Sequence, residues 1–207
     1  VSYQTTYGIE FSSKELFDLA VAWVALSVAF ALLLNRAPGG SITLEGIFTM
    51  TSLSFLTVGV AFLLHELAHK VVAIQFGQIA EFRADYGMLF LAIMSALVGF
   101  LFAAPGAVYH RGRITIKENG LVALAGPMTN HGLALLFFPL YVFGGGLIGQ
   151  IGQMGVWINL FLAAFNMIPY GPLDGKTVKN WSNGIWVAVF VPSLILALYV
   201  VLFVGLQ

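Results

Sequence analysis

Cysteine is absent from all 207 residues, which excludes disulfides and thiolate metal sites and leaves the redox compartment unreadable. Charge is scarce too. Only 9% of residues are Asp, Glu, Lys or Arg, against about a quarter in ordinary soluble domains. Nine cationic side chains balance nine anionic ones and none cluster into a basic block, so a nucleic-acid partner has no electrostatic footprint. No stretch between apolar runs could house a soluble domain of even about 50 residues, so PDZ-like or other regulatory domains are not expected. Val1 to Phe11 lacks the basic n-region of a signal peptide. What remains is 59% hydrophobic, with a mean hydropathy of +0.93, and this composition belongs to an integral membrane protein. The expected fold is an all-α polytopic membrane protein forming one unit over residues 1–207, without internal repeats.

Along the chain, Glu15 to Leu34 reads as a first apolar helix, stopped by Asn35-Arg36-Ala37-Pro38-Gly39-Gly40. A second helix from about Ile47 to Phe76 would be roughly 45 Å long, more than the approximately 30 Å apolar slab. Its last turns should therefore leave the hydrocarbon. Short strands are expected near 80–85 and 102–117, while Glu81, Arg83 and Asp85 read as a solvated loop. Tyr86 to Val108 is apolar but broken by Gly99 and by Pro105-Gly106, so by length it could span and by its breakers it could enter and leave on one side. Leu121 to Phe143, Ile151 to Ile168 and Asn183 to Leu206 complete the set, giving five or six crossings with a re-entrant segment.

The second helix carries His65-Glu66-Leu67-Ala68-His69. Residues four apart share a helix face, so both histidines can close on one metal while Glu66 points obliquely at the same volume. That is the zinc metalloprotease arrangement, in which the glutamate is a base and not a ligand. An HExxH match can arise by chance in any helix. In a membrane segment, however, each ionisable group costs on the order of 2.5–3.5 kcal/mol, and three within five residues need a compensating partner such as a metal. A hydrolytic zinc takes three protein ligands and an open position for water. The third ligand must come from Glu81, Asp85, His110, Glu118, His131 or Asp174. Asp174 stands out because the prolines and glycines around it break a helix and can turn a carboxylate into a bundle, although a tight surface turn would suit Asp and Gly equally well.

In order, the chain holds an intramembrane HExxH, Gly126-Pro127-x-x-Asn130, and Asn166-x-x-Pro169-x-x-Pro172-Leu173-Asp174-Gly175. This ordered set resembles the site-2 protease family of intramembrane zinc proteases over roughly residues 47–181, with helices 15–34 and 183–206 peripheral. The resemblance implies one Zn2+ per chain held by His65, His69 and Asp174, catalysis by Glu66, and Asn166 near the scissile carbonyl. It implies a transmembrane protein as substrate. Lys176 follows Leu-Asp-Gly where many members have a second glycine, and an apolar segment follows the motif helix where many have a polar β-hairpin.

On this reading Glu66 takes a proton from an activated water and passes it to the leaving amine. The substrate must unwind locally, and an edge strand beside the metal, from Phe102–Val108 or Arg113–Lys117, would hold it extended. The alternative is a metal or proton transporter whose buried His and carboxylate groups line a path, although a transporter would spread such groups through several helices. His131 reads as a structural or interfacial histidine. Because His65–His69 and Asp174 must meet on one side, one of the segments 86–108 and 121–143 cannot cross, and the broken 86–108 is the better candidate. With it re-entrant, eight Lys and Arg lie on the metal side and Arg36 on the other; if it crosses, six lie against three. The positive-inside rule then puts the active site toward the cytoplasm, in a five-crossing chain.

Overall fold

The computed structural model describes residues 8–35 and 44–204, so the stop at Arg36–Gly40 lies outside the described residues. Helix α1, Ser13–Leu34, starts where the Ser12 side chain accepts the Glu15 N–H at 3.1 Å. Helix α2, Leu44–Ser54, passes through a π-helical turn, Phe55–Gly59, into α3, Val60–Gln75. The extra residue of a π turn frees a backbone carbonyl, and here the Trp23 indole N–H of α1 donates to the Phe55 carbonyl at 3.0 Å. A Cβ on Gly59 would fall 1.8 Å from that indole, so glycine is what lets the two helices meet there.

Beyond α3 the chain forms strand β1, Ile79–Ala84, then α4, Tyr86–Val98, then strand β2, Gly106–Arg111, antiparallel to β1. Asp85 caps α4 by accepting the Met88 N–H at 3.0 Å, and Gly99, at φ +104°, ends it. The chain doubles back at once, with the Phe102 N–H donating to Ser95 Oγ at 3.0 Å. Since Ala84 pairs with Gly106, the whole apolar stretch between them leaves and re-enters at one point. It does not cross.

Helix α5, Ile116–Phe143, opens on a capping box between Thr115 and Glu118 and carries Pro127 and Pro139 inside. Helix α6, Gly146–Asn166, then α7, Asp174–Trp181, and α8, Asn183–Tyr199, which runs into a second π turn, Val200–Val204, complete the described chain. Among the described residues, five helices are long and apolar enough to cross a membrane: 13–34, 46–75, 116–143, 146–166 and 183–204. The protein is an all-α polytopic membrane protein with one small two-stranded sheet. Its main core joins Leu26 and Phe30 of α1, Val58 of the π turn, Phe62 of α3, Phe82 of β1 and Ile158 of α6.

Two expectations need correction. Residues 113–117 do not form a strand, because the Thr115–Glu118 capping box starts α5 there. Glu81 and Arg83 are not in a solvated loop but in β1, where they pair at 2.5 Å, and Asp85 is a helix cap. Asp174 lies past the end of α6, as its surrounding prolines and glycines suggest, and opens a short helix of its own.

Candidate metal centre

Helical pitch brings His65 and His69 to one buried face of α3. Asp174 reaches them because of how α6 ends. The chain turns through Gly171, at φ +61°, and α7 starts hard against the α6 terminus, where a Cβ on Gly175 would lie 2.1 Å from the Met167 carbonyl oxygen. The three side chains converge. His65 Nε2 lies 3.2 Å and His69 Nε2 3.4 Å from Asp174 Oδ2, and the two Nε2 atoms are 3.0 Å apart.

Which protons sit on these rings follows from their other nitrogens. His69 Nδ1 lies 2.7 Å from the Val122 carbonyl, which can only accept, so Nδ1 carries the hydrogen and Nε2 presents a lone pair. His65 Nδ1 lies 2.6 Å from Asn130 Oδ1. The Asn130 amide donates to Asn159 Oδ1 at 2.8 Å, and the Asn159 amide to the Gly155 carbonyl at 2.9 Å. A carbonyl at the end of this chain fixes the polarity of every link, so His65 too turns a lone pair inward. Two imidazole lone pairs and a carboxylate oxygen thus face one another, and Asp174 Oδ2 is buried with no hydrogen bond. Three acceptors in contact repel unless a cation lies between them. Ligands about 2.0 Å from a tetrahedral zinc are about 3.3 Å apart, close to the three separations here. The residues present fit a zinc ion, and these three form the group of side chains among the described residues that could hold a metal.

Glycine makes the space. A Cβ on Gly126 would lie 2.5 Å from both Nε2 atoms, so α5 can pass under the histidines only without a side chain there.

The centre opens into a cavity of about 330 Å³ whose wall includes Glu66, Asn166, His110 and residues 103–108 leading into and along β2. Glu66 Oε2 is buried there without a hydrogen-bond partner. Asn166 uses one amide hydrogen on the Leu162 carbonyl, at 3.1 Å. Of the other candidates, His110 lines the cavity without joining the convergent group, and burial pushes its imidazole down toward the neutral form. Glu81 and Glu118 serve the sheet and the α5 cap, and Asp85 caps α4. His131 ties α5 to α8, lying 2.9 Å from the Pro127 carbonyl and 3.1 Å from Ser193 Oγ. Sequence reasoning had no role for Asn130 and missed Asn159. The available signal was that each is an amide inside a helix apolar enough to cross a membrane, where an unpaired polar group is costly.

Three relatives are similar to the chain. A Methanocaldococcus jannaschii protein named "Putative zinc metalloprotease MJ0611" is 42% identical over 91% of this chain and 95% of its own length. "Putative zinc metalloprotease YwhC" of Bacillus subtilis is 34% identical over 59% of this chain and 65% of its own. "Zinc metalloprotease MJ0392" of Methanocaldococcus jannaschii is 29% identical over 80% of this chain and 44% of its own. No family model and no solved structure matches the chain significantly. The chain belongs to the zinc metalloprotease family of these relatives, and its cofactor is zinc.

Proposed function

We propose that this zinc-dependent protease is an intramembrane endopeptidase of the site-2 protease type, cutting peptide bonds within or beside transmembrane segments of membrane-protein substrates. The observation that carries the reading is the position of the His65, His69 and Asp174 cluster at the end of an apolar helix, opening into a cavity walled by other apolar helices. A soluble peptide has no reason to enter such a wall; a transmembrane segment is already in it.

His65, His69 and Asp174 would hold the zinc, which supplies Lewis acidity to a water and to a peptide carbonyl. Glu66 is the base: its free Oε2 can take a proton from that water and return it to the leaving amine. The outer edge of β2 offers backbone groups to a substrate unwound into a strand. Asn166 retains one amide hydrogen with which to hold that strand or the carbonyl under attack.

Two substitutions test the assignment. Glu66→Gln is expected to keep stoichiometric zinc and lose cleavage of a membrane-embedded substrate; loss of both together would overturn the base role. Asn166→Ala should also keep zinc but cleave about 10²–10³-fold more slowly, as when one oxyanion donor is removed. An unchanged rate would return Asn166 to the role of a helix-end residue.

A further inference from the structure

A two-stranded sheet is marginal by itself, so β1 and β2 must be held by what lies at their outer edges. In an antiparallel pair, residues whose N–H groups point inward alternate with residues whose N–H groups point outward. Phe82 and Val108 are paired, and both point outward. On the β1 side the Phe82 N–H donates to Glu15 Oε1 of α1 at 3.0 Å, and on the β2 side the Val108 N–H faces the Glu66 carboxylate.

Glu15 is itself fixed to the metal-binding helix. Its Oε2 accepts from Lys70 Nζ at 2.6 Å, and both side chains are 1% exposed. Lys70 is saturated: it also donates to the Glu10 carbonyl at 2.5 Å and lies 3.9 Å from the centre of the Phe11 ring. Glu66 and Lys70 are four residues apart on α3 and so share a face. A closed circuit results, from Lys70 to Glu15, to the Phe82 N–H, across the sheet to Val108, and back to α3 at Glu66.

We infer that Glu15 is a positioning residue for the substrate: its carboxylate, anchored by Lys70, holds the sheet at the height where the outer edge of β2 passes Glu66 and the metal centre. A buried ion pair alone would tie α1 to α3. What goes beyond that is the second oxygen, spent on a strand amide that no other described group accepts. This inference rests on the proposal that substrate docks on β2.

Two double variants separate the anchor from the ion pair. Glu15→Gln with Lys70→Met removes both charges yet keeps an oxygen for the Phe82 N–H. Glu15→Leu with Lys70→Met removes both charges and that acceptor. The glutamine pair is expected to stay within about threefold of the wild-type KM, whereas the leucine pair raises KM at least tenfold with kcat and zinc content little changed. Amide hydrogen exchange across β1 and β2 should quicken in the leucine pair only. If both pairs match the wild type, or if the glutamine pair alone raises KM tenfold, the inference is overturned; the second criterion holds even should the leucine pair fail to fold. Exchange measured on zinc-free protein tests the anchor independently of cleavage. A wild type that cleaves no membrane-embedded substrate, with the exchange difference intact, would instead remove the proposed function.

Discussion

At the scale of single residues, Asn130 sets how His65, one of the three side chains that could hold the metal, faces the centre. Its Oδ1 holds the His65 hydrogen on Nδ1 and so turns the ring's lone pair inward, and it can do this only because Asn159 and the Gly155 carbonyl fix its amide. Removing an outer partner of a ligating histidine lowers metal affinity about 10–100-fold. Asn130→Ala is therefore expected to lose zinc to a chelator at correspondingly lower concentration, and undiminished affinity would show that the ring is held by packing alone. That His65 and His69 meet was legible in sequence because the HExxH geometry is local: two residues four apart on a helix share a face whatever the rest of the chain does, whereas the approach of Asp174 to them is a long-range fact. The role of Asn130 was not legible. Its motif could be seen, but the meeting of α3, α5 and α6 that gives the amide its direction is a long-range fact.

At the scale of elements, competing local signals decided what could be read. Residues 113–117 alternate in polarity, yet Thr115 and Glu118 have the spacing of a capping box, and two satisfied backbone donors outweigh an alternation with no partner strand. The β1–α4–β2 unit was half visible. Its breakers at Gly99 and Pro105-Gly106 were plain, but strand pairing between residues more than twenty apart was not. Glu15 and Lys70 were opaque for a different reason: isolated charges belong at a surface, and only a partner from another helix makes burial tolerable. Helix α7 offers the test at this scale. Its first turn lies so close to Met167 that Gly175→Ala must push it away and carry Asp174 with it. Zinc stoichiometry in that variant should fall well below one per chain while the helical content stays near that of the wild type. Full retention of zinc would mean that α7 can shift without moving Asp174.

For the whole molecule, the sheet register determines how the chain threads the bilayer. With Ala84 beside Gly106, the chain enters the third long helix on the side where it left the second. The fourth then ends on that side too, and so Asp174 can meet His65 and His69. The start of α1 belongs there as well, since the Glu10 carbonyl and Glu15 bind Lys70, and Ser12 bonds Glu81. Exposed Arg111, Arg113, Lys117, Lys176 and Lys179 all lie on that metal side, and the positive-inside rule assigns it to the cytoplasm as a proposal. The absence of cysteine makes the test clean, because any introduced thiol is the sole target of a membrane-impermeant reagent. Arg113→Cys and Asn180→Cys are expected to react from the cytoplasmic face, and Gly145→Cys, in the turn between α5 and α6 where added atoms meet open space, from the opposite face. If residues 113 and 180 label from opposite faces, the chain between β1 and β2 crosses after all and the centre could not assemble. If both label from outside while residue 145 labels from inside, the threading stands and only its orientation reverses. The zinc would then face away from the cytoplasm, and the substrate's cut would release its fragment on that side.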